Sequence, residues 1–217
     1  QIACNVPIGE PRQALDKVMS RAVSRSQVKV IIGAAGVLGI TLGVRQTFGL
    51  FLVPMTLDLE WSRGLFGLAM AIQNLLWGAE QPFVGGLADR YGAGKVIASG
   101  AIVYAVGVIG MANAITPTEL LLTGGVLIGL GMAGAGIAVV YSAVSRAVAP
   151  DNRTYAVALV STIGALGPMV LPSVSQAVIG IAGWFFALLA SAVVVVLVAV
   201  LARLFKYVED ATTDEPD

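Results

Sequence analysis

The segment Gly85-Gly86-Leu87-Ala88-Asp89-Arg90-Tyr91-Gly92-Ala93-Gly94-Lys95 decides how the rest of this 217-residue chain is read. On either side of it lie apolar runs, Gly64 to Gly86 and Val96 to Ile115. Each is near the roughly 20 residues a helix needs to cross about 30 Å of hydrocarbon. Working outward, the same pattern recurs at Val28 to Met55, Glu119 to Val144, Tyr155 to Ile179 and Gly183 to Phe205. The remaining connections, Thr56 to Arg63, Thr116 to Thr118, Ser145 to Thr154 and Gly180 to Ala182, are short, so each helix is expected to run antiparallel to the one before it. A β-barrel would show alternating segments of about ten residues, and these runs are continuous and twice as long.

Composition agrees. Hydrophobic residues make up 57% and charged residues only 12%, too little charge to cover a soluble domain of this size, so a soluble enzyme is excluded. Thirteen Lys+Arg balance thirteen Asp+Glu, which offers nothing to nucleic acid. Histidine is absent and Cys4 stands alone, so neither a metal nor another cofactor is expected.

Loop charge sets the orientation. The N-terminal segment (Arg12, Lys17, Arg21, Arg25, Lys29), the second loop (Arg90, Lys95), the fourth (Arg146, Arg153) and the tail (Arg203, Lys206) are basic, whereas the odd-numbered loops hold only Arg63. Both termini are therefore expected in the cytoplasm, with Trp61 and Trp184 at the outer interface. Leu15, Val18, Met19, Ala22 and Val23 recur at helical spacing among cations, which predicts an amphipathic helix on the inner leaflet within residues 1–27. Residues 28–205 form the expected bundle, and 206–217 an acidic tail or the start of a central loop.

Within the opening segment, Gly85 is expected to let two helices approach closely, and Gly92 and Gly94 to supply the positive φ of a tight turn. Asp89 and Arg90 are too costly to bury unpaired and are expected to latch onto charges or helix ends nearby, holding one state of a two-state machine. The segment resembles the signature loop of the major facilitator superfamily, roughly G-x-L-A-D-R-x-G-R-K, at Gly85, Leu87, Ala88, Asp89, Arg90 and Gly92. Ala93 and Gly94 replace two basic positions, with Lys95 restoring one charge. Gly164-Ala165-Leu166-Gly167-Pro168 matches the end of the superfamily's antiporter-type motif only in its Gly-Pro, with Leu171 and Pro172 where two glycines stand in the motif. Pro168 and Pro172 are expected to kink that helix. Gly125 occupies the place of the proton-coupling arginine.

Gly43-Val44-Arg45-Gln46-Thr47-Phe48-Gly49-Leu50-Phe51, Glu60-Trp61-Ser62-Arg63, Gln73-Asn74-Leu75-Leu76-Trp77-Gly78 and Gln81-Pro82-Phe83 are similar to monocarboxylate-transporter-like and oxalate/formate-antiporter-like members. The resemblance implies an all-α membrane protein: six transmembrane helices forming the N-terminal bundle of the superfamily fold, as two inverted three-helix repeats around a midplane site. It also implies secondary active transport of a small organic anion by alternating access, in the bacterial inner membrane. A second six-helix half, a missing C-terminal bundle or another chain, would complete the pathway. Two other readings stand beside this: a six-helix scaffold or accessory subunit that moves nothing, and efflux of apolar drugs.

The residues add their own argument. Arg45 lies near the middle of the first run, where an arginine costs about 2.5–3.5 kcal/mol on insertion scales. Gly36, Gly39 and Gly43 share one stripe of that helix, expected to pack closely against a neighbour, and Arg45 with Thr41, Phe48 and Leu52 lies nearly opposite. Arg45 either receives a carboxylate in the central pathway or is tied to internal acceptors for structural reasons. Gln73, Asn74, Trp77, Glu80 and Gln81 form a polar stripe that cannot face lipid, and Glu80 is either a proton carrier or a charge partner, for instance of Arg146. Gly125 and Gly129 make a small-xxx-small pair. Tyr141, Tyr155 and Ser161 either contact substrate or satisfy interhelical hydrogen bonds. The candidate substrate residues are thus Arg45, Gln46, Gln73, Asn74 and Tyr141; the candidate proton carrier is Glu80; the candidate latch is Gly85, Asp89, Arg90, Gly92, Lys95 and Arg146. Expected partners are the anion, protons and membrane lipid.

Overall fold

The computed structural model describes residues 25–205 and is almost wholly helical over them. The expected amphipathic helix and the acidic tail lie outside the described residues. Helix α1 (Arg25–Asp58) is followed by α2 (Arg63–Tyr91) and α3 (Ala93–Ala112). The stretch Pro117–Ala147 comprises α4 (Pro117–Leu120), a π-helical turn Leu121–Leu127, α5 (Ile128–Gly134) and α6 (Ile137–Ala147). A 3₁₀ turn, Pro150–Asn152, then leads to α7 (Arg153–Gly164) and α8 (Leu166–Leu201), and Ala202–Phe205 closes as 3₁₀.

Among the described residues, four stretches are long and apolar enough to cross a membrane: Gln27–Asp58, Ala93–Ala112, Pro117–Ala147 and Pro150–Phe205. Helix α2 has the length, but Gln73, Asn74, Glu80 and Gln81 dilute its apolar content. The 56 residues of Pro150–Phe205 would extend about 84 Å as one straight helix, far more than a bilayer core. They fold back instead at Gly183, whose φ of 87° leaves the helical region. Trp184 reaches Asp58 at the end of α1, with Nε1 donating to Oδ2 at 2.6 Å, while Leu204 packs on Gly33 near its start. The expected loop Gly180 to Ala182 is therefore helix, and the reversal is confined to the one residue that tolerates it.

The signature segment is also tighter than the expected loop Leu87 to Lys95. Helix continues to Tyr91 and resumes at Ala93, so only Gly92 is non-helical. Its φ of 91° and ψ of 138° suit glycine alone, and its N–H closes α2 by donating to Ala88 O at 3.0 Å. Two expectations fail here. Gly94 is a buried helical residue without positive φ, because one glycine suffices for the turn. Gly85 has no neighbour within 4 Å of where a Cβ would sit, so it mediates no close helix approach.

Close packing falls on other glycines. Along α1, a Cβ on Gly36 would lie 2.8 Å from Leu201, and one on Gly43 2.6 Å from Leu171 and 2.7 Å from the Gly167 backbone. In Pro117–Ala147, Gly125 and Gly129 abut Ala69, Ile72, Gln73 and Leu76 of α2, while Gly131 and Gly134 abut Tyr104 and Gly100 of α3. Dispersion between closely apposed backbones replaces the hydrophobic drive that lipid does not supply. The glycine density also breaks this stretch, which was expected to be one helix, at Ala135 and Gly136. The bend in Tyr155 to Ile179 falls at Gly164–Ala165, where Pro168 has no N–H to give Gly164 O.

Candidate functional site

Helix α1 carries Arg45 on the side away from its glycine seam, facing α2. Its Nη2 donates to Asn74 Oδ1, and its guanidinium lies over the Trp77 ring, 4.8 Å from the centroid. Asn74 is itself fixed, its Nδ2 donating to Met70 O at 2.7 Å. The arginine is half-buried, and among the described residues no carboxylate pairs with it. A guanidinium has five N–H donors, so one neutral acceptor and one aromatic face leave most of its donors and all of its charge available.

Among the described residues, four buried polar atoms on the helices here lack partners: Thr41 Oγ1 on α1, Gln73 Oε1 and Trp77 Nε1 on α2, and Tyr104 OH on α3. Unpaired buried polar groups are rare and costly, at about 1–3 kcal/mol each. Thr41 stands one turn before Arg45. Tyr104, fully buried on α3, stacks edge-on to Phe48 at 6.4 Å, and Phe48 shares the Arg45 side of α1. Gln73 turns the other way, its Nε2 contacting Met132 Sδ at 3.2 Å beside the Gly129 crossing. The polar stripe of α2 therefore splits, Asn74 and Trp77 toward α1 and Gln73 toward α5.

The other sequence candidates are not drawn into this group. Gln46 is exposed and makes no hydrogen bond among the described residues. Tyr141 OH hydrogen-bonds Ser161 Oγ at 2.7 Å, and Ser161 in turn donates to Val157 O, an interhelical tie between α6 and α7. Glu80 is half-buried, and the suggested partner Arg146 is not its partner: Arg146 is committed to Asp89.

That ion pair is what the structure builds from the latch candidates. Asp89, in the last turn of α2, meets Arg146, in the last turn of α6, and the two side chains are 62% and 34% exposed. The pair lies at the surface and avoids the burial cost foreseen for Asp89. Arg90 takes no part in it; its guanidinium lies over the neighbouring Tyr91 ring at 5.4 Å. Lys95 faces a separate groove beside Arg203. Glycine 92 supplies the turn that places Asp89, and Gly85 supplies no contact.

Tyr104 is the residue that sequence reasoning missed. Its signal was present, since it is the one polar side chain near the middle of Val96 to Ile115. Trp77 was read only as part of a stripe, and its pairing with Arg45 needs the angle between two helices, which no single helix encodes.

None of the curated proteins matches the chain. The family model of the Major Facilitator Superfamily matches residues 32–217, which takes in the Arg45 group, the Asp89–Arg146 pair and the broken glycine-rich stretch together. With most of its length matched and its helices those of a multi-pass membrane protein, the chain belongs to the major facilitator superfamily of transporters.

Proposed function

We propose that the chain is the N-terminal six-span bundle of a secondary transporter that moves a small organic anion, such as a monocarboxylate, by alternating access. The observation that carries this reading is the half-buried Arg45, held by the neutral Asn74 and the face of Trp77 with no carboxylate among the described residues to discharge it. A structural arginine in a membrane bundle is normally neutralised; one positioned by neutral groups keeps its charge for an incoming anion. A carboxylate would be received bidentately by the guanidinium, with Asn74 and Trp77 beside it, while Gln73, turned toward α5, takes no part in the pose shown.

The six spans are α1, α2, α3, Pro117–Ala147 and the two limbs of Pro150–Phe205 that meet at Gly183, grouped as two inverted three-helix repeats. Both termini face the cytoplasm, and the membrane is a bacterial inner membrane. Apolar side chains exposed along α2, Leu75 and Phe83 above all, support pairing with a second six-helix half, from this protein or another chain. Glu80, half-buried on the same helix and without an ion-pair partner among the described residues, is the proton carrier of the proposed cycle.

Uptake of labelled monocarboxylates into proteoliposomes containing the full-length protein tests this. Hydrogen bonds to a charged group are worth about 1.5–3 kcal/mol, so Arg45→Ala is expected to lower uptake about 10- to 150-fold. Arg45→Lys, which keeps charge but loses the fork, should fall between the two. Uptake at background by both the parent and Arg45→Ala would overturn the reading and leave the non-transporting scaffold, and equal uptake above background would remove Arg45 as the anion's anchor. Equal uptake of uncharged analogues would point to apolar drug efflux.

A further inference from the structure

On a face of the bundle separate from Arg45, the first turn of α3 and the end of the Pro150–Phe205 stretch enclose a groove of about 300 Å³. Two cations line it, Lys95 and Arg203, both exposed. The rest of its lining is small or apolar, including Ala98, Ile102, Ala199 and Ala202, and no acidic side chain among the described residues contributes. Helix α3 begins here with no side-chain cap, so its free amides add to the positive field.

From this groove two apolar stripes run away along the helices. On α3, Lys95 is succeeded at helical spacing by Ile102, Val106 and Ile109, which are 57%, 52% and 44% exposed. On α8, Arg203 is preceded by Val200, Val196 and Val193, at 52%, 47% and 66%. Each stripe ends in a cation, and the two cations share one void. A soluble anion would use the charges and leave the stripes bare. A molecule with a negative head and long hydrocarbon tails matches both.

We propose that this groove binds the phosphate of an anionic phospholipid, with Lys95 and Arg203 on the head group and the acyl chains along Ile102–Ile109 and Val193–Val200. The match is one of charge and of reach: counted from the cations, Lys95 to Ile109 and Arg203 to Val193 rise about 21 and 15 Å along their helices, against about 15 Å for one leaflet of hydrocarbon. Nothing in it depends on the cargo proposed for Arg45, so either proposal can fail alone.

The test is native mass spectrometry of the full-length protein in detergent, titrated with phosphatidylglycerol or phosphatidylcholine of the same chains. A cation at a membrane surface is worth about fivefold in anionic-lipid affinity, so the parent should retain phosphatidylglycerol about 25-fold more strongly. Lys95→Gln and Arg203→Gln should each lose about fivefold, and the double variant should bind the two lipids alike, with the melting temperature reporting an intact fold. Should the double variant fail to fold, the single variants carry the test. No head-group preference in the parent overturns the proposal, as does a preference that survives both substitutions. Inorganic phosphate at millimolar concentration should not displace the lipid; if it does, the groove is a free-phosphate site and the lipid assignment is wrong.

Discussion

The crossing of α1 with the Pro150–Phe205 stretch gives the sharpest steric prediction. A Cβ on Gly167 would lie 1.8 Å from Gly39 O, whereas ordinary contact begins at 3.4 Å. The obstacle is a backbone carbonyl, which cannot swing aside as a side-chain tip would, so Gly167→Ala must push the helices apart by about 1.6 Å. Gly43 against Leu171 and Gly164 against Leu38 share the same seam and would loosen with it. Overpacking of this kind costs about 1–3 kcal/mol, and a backbone clash belongs at the upper end. Gly49 on α1 is the internal control, because nothing lies within 4 Å of its would-be Cβ. Gly49→Ala should be neutral or stabilise by about 0.5–1 kcal/mol through the helical preference of alanine. Graded unfolding of the purified protein in SDS, followed by circular dichroism, should therefore separate the two variants by about 2–4 kcal/mol. Unfolding curves that superimpose would refute the claim that the seam depends on absent side chains.

Gly92→Ala places a Cβ at φ 91° and ψ 138°, a conformation that costs about 1–3 kcal/mol for any L side chain, so folded yield and SDS resistance should both drop; an unchanged yield contradicts the turn geometry. Tyr104→Phe deletes a buried hydroxyl that has no partner, and should leave stability unchanged or raise it by about 1 kcal/mol in the same unfolding assay. Measured uptake should nevertheless fall if that hydroxyl serves the Arg45 group, which separates a functional orphan from a packing accident.

What the sequence made legible is what a single helix can encode. Arg45 opposite the Gly36, Gly39, Gly43 stripe follows from 100° per residue, and the structure puts the seam and the arginine on opposite sides. The close packing of Gly125 and Gly129 also followed from spacing. Loop lengths did not, because Leu87–Lys95 and Gly180–Ala182 are polar or small enough to read as connections while needing only Gly92 and Gly183 to turn. Interhelical partners were the least legible. Arg146 was a suggested partner for Glu80 in sequence; the end of α6 meets the end of α2, so distance along α2 chooses Asp89.

The strength of that pair limits what it can do. Both side chains are substantially exposed, and such ion pairs contribute about 0.2–1 kcal/mol. A contribution of that size shifts a two-state equilibrium by about 1.4- to 5-fold, whereas taking it from 1:99 to 99:1 needs about 5.5 kcal/mol. The Asp89–Arg146 contact can therefore bias the proposed cycle toward the state in which α2 and α6 meet, but it cannot hold that state alone. A double-mutant cycle with Asp89→Asn and Arg146→Gln should return a coupling of at most about 1 kcal/mol, shrinking as salt is raised. Exchanging the charges, Asp89→Arg with Arg146→Asp, should recover most of it. A salt-independent coupling of several kcal/mol would mean that the pair is desolvated, and that the surface geometry described here is not the state it stabilises.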